Sequence, residues 1–160
     1  MNMSYQREES AGYLVNWAGR LFVRAIERRL AGGNAGPMPV FFALLNEHAL
    51  TQKELAAWAV VEQPTMANTL KRMERDGLIV RTPNLSDARS TLISLTKLGK
   101  QRATEAMAAA AEVNSLALTG LKPAERELFF AMLRRVAENL EVDSDGDSAP
   151  QALRTGKRAR

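Results

Sequence analysis

The chain of 160 residues has no cysteine and one histidine. The first absence excludes disulfides, thiolate chemistry, sulfur-ligated metal and sensing by cysteine oxidation. The second excludes a histidine-rich metal site, and His48 reads as a structural residue at a helix end. No apolar run is long enough to span a membrane, and the N-terminus lacks the charged-then-apolar order of a signal peptide. A cytoplasmic chain with no membrane partner is expected. No nucleophile–base pair, metal-ligand cluster or phosphate-cradling glycine loop stands out, so neither an enzyme nor a cofactor is expected. What remains is ordinary for one globular domain: 46% of residues are hydrophobic and 25% charged. The net charge of +4 and pI near 9.8 suit a polyanionic partner, although part of that charge lies in the tail Arg154 to Arg160.

The informative stretch runs from Leu50 to Leu95 and predicts helix, turn, helix, hairpin. Thr51 and Glu54 have the spacing of a capping box, and Leu50 and Leu55 that of a hydrophobic staple. This first helix is expected over Thr51 to Val61, with Leu55, Ala56 and Ala59 inward. Trp58 fits the core better than a cavity wall, because aromatic side chains usually bury. A second helix is expected from Pro64, a residue suited to the first helical position, to Asp76, with Gly77 as a left-handed cap and Leu78 folding back on Met73. Two strand-like runs follow, Leu78 to Thr82 and Thr91 to Leu95, joined by the turn-forming segment Pro83 to Arg89. Two helices and a hairpin in this order make a winged helix-turn-helix, which sets its second helix in a DNA major groove.

Projected at about 100° per residue, the second helix has two sides. Met66, Leu70, Met73 and Gly77 form a core stripe. Pro64, Thr65, Asn68, Lys71, Arg72 and Arg75 lie opposite. Short uncharged groups come first and cations later. Asn can bond adenine bidentately, Thr can touch a thymine methyl or a phosphate, and Arg can bond guanine or a phosphate. Arg89 on the hairpin has the reach and charge for a narrow minor groove. Asp87 repels phosphate there, so it either holds Arg89 in place or serves as a turn former.

Around this centre the chain is helical. Residues Met1 to Ser10 are polar and expected to fray. From Ala11 to about Leu30 the apolar positions Leu14, Trp17, Ala18, Leu21, Phe22 and Ala25 recur at helical spacing. Arg20, Arg24, Arg28 and Arg29 lie mostly off that stripe, either as a solvated face or near DNA or an anionic ligand. Pro37 or Pro39 opens a short core helix through Phe41 and Leu45. Thr96 caps a helix from Lys97 to about Leu118, with Ala103, Ala106, Met107, Ala110, Val113 and Ala117 on one side. Pro123 opens the last helix, whose stripe is Leu128, Phe129, Met132, Leu133, Val136 and Leu140. Residues 142–160 are expected to be a disordered tail.

The helix start LTQKELA, the segment EQPTMANTLKRMERDGLI and the wing SDARSTLISLT with Lys97-Leu98-Gly99 together resemble the MarR family of transcriptional regulators, over roughly Tyr13 to Leu140. The resemblance implies an all-α fold with a small β-hairpin wing. It also implies one domain over 11–141: a winged helix at about 37–95 and dimerisation helices at about 11–31 and 97–141. A homodimer on double-stranded DNA follows, binding a pseudo-palindromic operator, in many members as a repressor released by a small phenolic or aromatic effector. By resemblance Thr65, Asn68, Thr69 and Arg72 face the major groove, Arg89 is the wing arginine and Asp87 the wing aspartate. Ser90 stands where the family often has a further basic residue, and the lack of cysteine breaks the likeness to the peroxide-sensing branch. The implied ligand pocket lies between the dimer helices and the winged helix, where Trp17, Arg20, Met38 and Phe42 are the candidates. The alternative is a winged helix that binds protein without sequence-specific DNA binding. Its mark would be an apolar outer face on the second helix, and that face is polar and basic.

Overall fold

The structure is a computed structural model and describes residues 7–144. The expected frayed start and the expected tail, apart from residues 7–10 and 142–144, lie outside the described residues. Arg7–Glu9 form a 3-10 turn, and Ser10 caps the first helix, its Oγ accepting from the Tyr13 N–H at 3.2 Å. That order replaces the fraying expected up to Ser10.

Six helices and three short strands follow: α1 (Ala11–Glu27), α2 (Met38–Asn46), β1 (Leu50–Thr51), α3 (Gln52–Trp58), α4 (Gln63–Arg75), β2 (Ile79–Pro83), β3 (Thr91–Leu95), α5 (Lys97–Ala117) and α6 (Pro123–Ser144). The fold is mostly helical with a small antiparallel sheet in the order β1-β3-β2. Ile79 pairs with Leu95 and Pro83 with Thr91, while Leu50 pairs with Ile93 on the other side of β3. The strand β1 was not expected, since two residues are too few to show an alternation.

The core lies where α2, α3, α4, the sheet and α5 meet. Val40, Phe41 and Leu44 of α2 pack with Leu55 of α3, Met66, Leu70 and Met73 of α4, Ile79 and Ile93 of the sheet, and Ala103 and Ala106 of α5. Alanines on α5 let the helix axes approach closely, which a row of larger residues would prevent. Trp58 is half-buried and packs against this core.

The start of α5 is fastened to the end of α4. The Thr96 Oγ1 accepts from the Gly99 N–H at 3.0 Å and donates to the Gly77 carbonyl at 2.6 Å, and the Thr96 N–H donates to the Leu78 carbonyl at 3.0 Å. Gly99 sits so close to this seam that a Cβ there would overlap the Leu78 carbonyl oxygen. That is the physical reason for glycine after Lys97-Leu98.

α6 behaves differently. Its apolar residues Leu128, Phe129, Met132, Leu133, Val136 and Leu140 are all exposed, and none of its residues up to Glu141 is buried. On α1, Leu14, Val15, Trp17, Leu21 and Val23 are exposed as well. The two stripes do not cover each other within the subunit.

Candidate nucleic-acid interface

Helix α4 is set by its two ends. The capping box of α3 forms as expected: the Thr51 Oγ1 accepts from the Glu54 N–H at 3.3 Å, and the Glu54 carboxylate accepts from the Thr51 N–H at 2.7 Å. The helix ends at Trp58, short of the expected Val61. Val60 then takes a left-handed conformation, φ 52°, and Val61 returns its N–H to the Ala56 carbonyl at 3.0 Å. This is a Schellman turn with valine where glycine is usual, which no pattern of apolar residues announces. Gln52 of α3 donates to Gln63 at 3.2 Å, tying the two helix starts together. Pro64 stands at the second position of α4, one later than expected, with Gln63 first and Glu62 before it. At the far end Gly77 has φ 71°, and Leu78 bonds the Met73 carbonyl at 2.8 Å.

The two sides of α4 are those read from the sequence, except that Gly77, expected in the core stripe, is exposed, because the chain has already left the helix there in its left-handed cap. Met66, Leu70 and Met73 are buried, while Pro64, Thr65, Asn68, Lys71, Arg72 and Arg75 are exposed. Asn68, Lys71 and Arg72 make no side-chain hydrogen bond or ion pair with another described residue, so their donors stand ready for a ligand. Thr69 is half-buried, and its hydroxyl is occupied by the Thr65 carbonyl at 3.1 Å. Only its methyl remains to offer.

Three arginines carry their own carboxylates. Arg75 Nε is 2.9 Å from Asp76, Arg81 Nε is 3.1 Å from Glu74, and Arg89 Nε is 3.5 Å from Asp87. The hydrogen bond and then the charge of Asp76 raise the Arg75 guanidinium pKa further above its ordinary value. The Asp87–Arg89 pair is one of the two uses the sequence offered for Asp87, whereas Arg81–Glu74 joins a strand to a helix and does not show in the spacing along α4.

The wing is a built loop. The Asn84 side chain accepts from the Ser86 N–H at 3.0 Å and donates to the Ser90 hydroxyl at 2.9 Å, and that hydroxyl donates to the Asp87 carbonyl at 3.2 Å. Asp87 accepts from the Arg89 N–H at 3.0 Å, so it both forms the turn and holds Arg89. The Arg89 side chain is 93% exposed beyond this loop. Ser90, which replaces an expected cation, closes the loop instead.

A second feature lies behind this face. An open cavity of about 420 Å³ is walled by Phe22 and Ile26 of α1, Phe42 of α2, and Met107, Ala110 and Ala111 of α5, with Asn114 as its one polar side chain. Of the four candidate ligand residues, Phe42 lines it. Met38 is in the core, and Trp17 and Arg20 are exposed on α1 away from the wall. The reason is helix phase: Phe22 and Ile26 turn toward α5, so Trp17 and Arg20 turn away. The stripe Met107, Ala110, Ala111, Asn114 on α5 was the available signal, and it reads equally well as plain helix packing.

Residues 40–91, from α2 through the wing, match the MarR family. The regulator YwoH of Bacillus subtilis, described as an uncharacterized HTH-type transcriptional regulator, is 26% identical over 75% of this chain and 88% of its own. The chain belongs to the MarR family. It is thus a winged helix-turn-helix DNA-binding transcriptional regulator rather than an enzyme. Two solved structures share the fold. BpsR of Bordetella bronchiseptica, whose DNA binding is regulated by 6-hydroxynicotinic acid, is 23% identical with a TM-score of 0.72, over 81% of this chain and 99% of its own. The repressor CouR, bound to a 23-mer DNA duplex, is 24% identical with a TM-score of 0.73, over 81% of this chain and 94% of its own. The MarR-family match ends at the wing, so it covers the DNA-facing elements and leaves α1, α5 and α6 outside. No helix among the described residues is long and apolar enough to cross a membrane.

Proposed function

We propose that this MarR-family regulator is a homodimeric repressor that holds a pseudo-palindromic operator and leaves it when a small aromatic molecule enters the α1–α2–α5 cavity. The observation that carries the DNA reading is the outward face of α4. Asn68 stands free to read a base edge in the major groove, and Lys71 and Arg72 are free to bind phosphate or guanine. Pro64, Thr65 and the Thr69 methyl supply close contacts, and Arg75 supplies charge beside Asp76. Arg89, oriented by Asp87, reaches for the minor groove. A protein-binding module would need an apolar outer face here, and this one is polar and basic.

The dimer is inferred from the uncovered stripes of α1 and α6. Contiguous apolar faces of this extent seldom stay exposed on a monomer. A twofold pairing buries both copies with one self-complementary interface. The domain then divides into a winged helix at about 37–95 and dimerisation helices on either side. Two α4 helices spaced for successive major grooves, about 34–36 Å apart, require two inverted half-sites.

The test is selection of bound duplex from a random pool, followed by sedimentation and binding at two ionic strengths. Inverted half-sites and a dimer are expected, with affinity falling roughly a thousandfold or more between about 50 and 200 mM salt for some six to ten phosphates neutralised per dimer. Salt-independent binding, or a full-length monomer that binds a palindrome tightly, refutes the reading.

A further inference from the structure

The cavity wall carries information about charge. Six of its seven side chains are apolar, and the seventh is the neutral amide of Asn114. No lining residue is a cation. Arg29, in the turn just after α1, is held by other groups: its Nε is 2.9 Å from the Glu112 carboxylate, and its Nη1 donates to the Ala25 carbonyl at 2.9 Å. A carboxylate entering this site would lose water and find no counter-charge, an unfavourable exchange. A neutral aryl ring would lose little, and one hydroxyl or amide could bond Asn114.

We infer that the cavity selects a neutral aromatic compound bearing a single hydrogen-bonding group and discriminates against the corresponding carboxylate. This rests on the reading of the cavity as the effector site. The discrimination is set by the wall itself, which offers one neutral amide and no cation.

The test uses the full-length protein and two probes of one shape, 2-naphthol and 2-naphthoate, in titration calorimetry at pH 7. The naphthol is expected to bind at least tenfold tighter than the naphthoate. Ala111→Lys, which places a cation on the exposed part of the wall, is expected to raise naphthoate affinity several-fold. Asn114→Leu is expected to weaken naphthol several-fold. Ala111→Trp, at an exposed part of the wall, is expected to abolish naphthol binding without unfolding the protein. Equal or tighter binding of the naphthoate overturns the inference. So does binding of neither probe, or naphthol binding that survives Ala111→Trp. Operator release is read separately: bound naphthol that leaves DNA affinity unchanged supports the charge selection and removes the release mechanism.

Discussion

Gly99→Ala tests the seam between the recognition helix and α5. The added methyl would overlap the Leu78 carbonyl oxygen and stand 3.3 Å from Leu95 Cδ2. The first obstacle is backbone, so no side-chain rotation relieves it. Relief requires α5 to lift from β2, and the Thr96 N–H to Leu78 carbonyl bond lies in the same seam. Overpacking of this kind costs about 1–3 kcal/mol, and a weakened backbone bond adds about 1 kcal/mol. Alanine returns up to about 1 kcal/mol through helix propensity. The net loss is about 1–3 kcal/mol, or a fall in Tm of roughly 3–9 °C for a chain of this size. Thermal and urea unfolding, at one fixed protein concentration because association shifts the apparent stability, read it directly. Gly12→Ala in the first turn of α1, where nothing lies within 4 Å, is the control and should be neutral or slightly stabilising. A Gly99→Ala protein as stable as the parent would refute the close approach.

Val60→Gly should stabilise the protein by about 0.5–1 kcal/mol in urea unfolding. Valine pays roughly 1–2 kcal/mol in the left-handed region, glycine returns about 0.5–1 kcal/mol of that as chain entropy, and the side chain is 82% exposed. A loss of stability would show that the exposed isopropyl group has a contact the turn depends on. Thr51→Ala should cost about 1 kcal/mol by removing the capping box, and an unchanged midpoint would count against that cap. Asn68→Ala should cost about 1–3 kcal/mol on the selected operator and relax one base position. Arg89→Ala should weaken binding more on A·T-rich than on G·C-rich flanks in mobility-shift titrations, because narrow grooves attract the guanidinium. Parental affinity in both variants, with the fold intact, rules out this face.

The winged helix was legible because local signals and burial agree there. Thr51 and Glu54, the Gly77 cap and the Met66, Leu70, Met73 stripe each name their own structure within a few residues. What escaped depends on contacts across the chain. Arg81 pairs with Glu74 from a strand to a helix, and Arg29 pairs with Glu112 from the turn after α1 to α5. Neither pairing follows from spacing. The cavity is another such case: Phe42 was named for it, but Phe22, Ile26 and Asn114 become neighbours only once α1 lies on α5. Val60 escaped for a different reason. A β-branched residue in a left-handed turn runs against its own preference, so the sequence argues for a longer helix.

The seam at Thr96 has a mechanical meaning. α5 has 21 residues and is therefore a rod about 31 Å long. Its N-terminal end is riveted to Gly77 and Leu78, which cap the recognition helix, and its other half walls the cavity. A pivot of about 5° around the far end carries the riveted end some 3 Å sideways. That is close to the rise of one base pair, about 3.4 Å. A recognition helix fastened at that end would be carried along with α5 as a passenger.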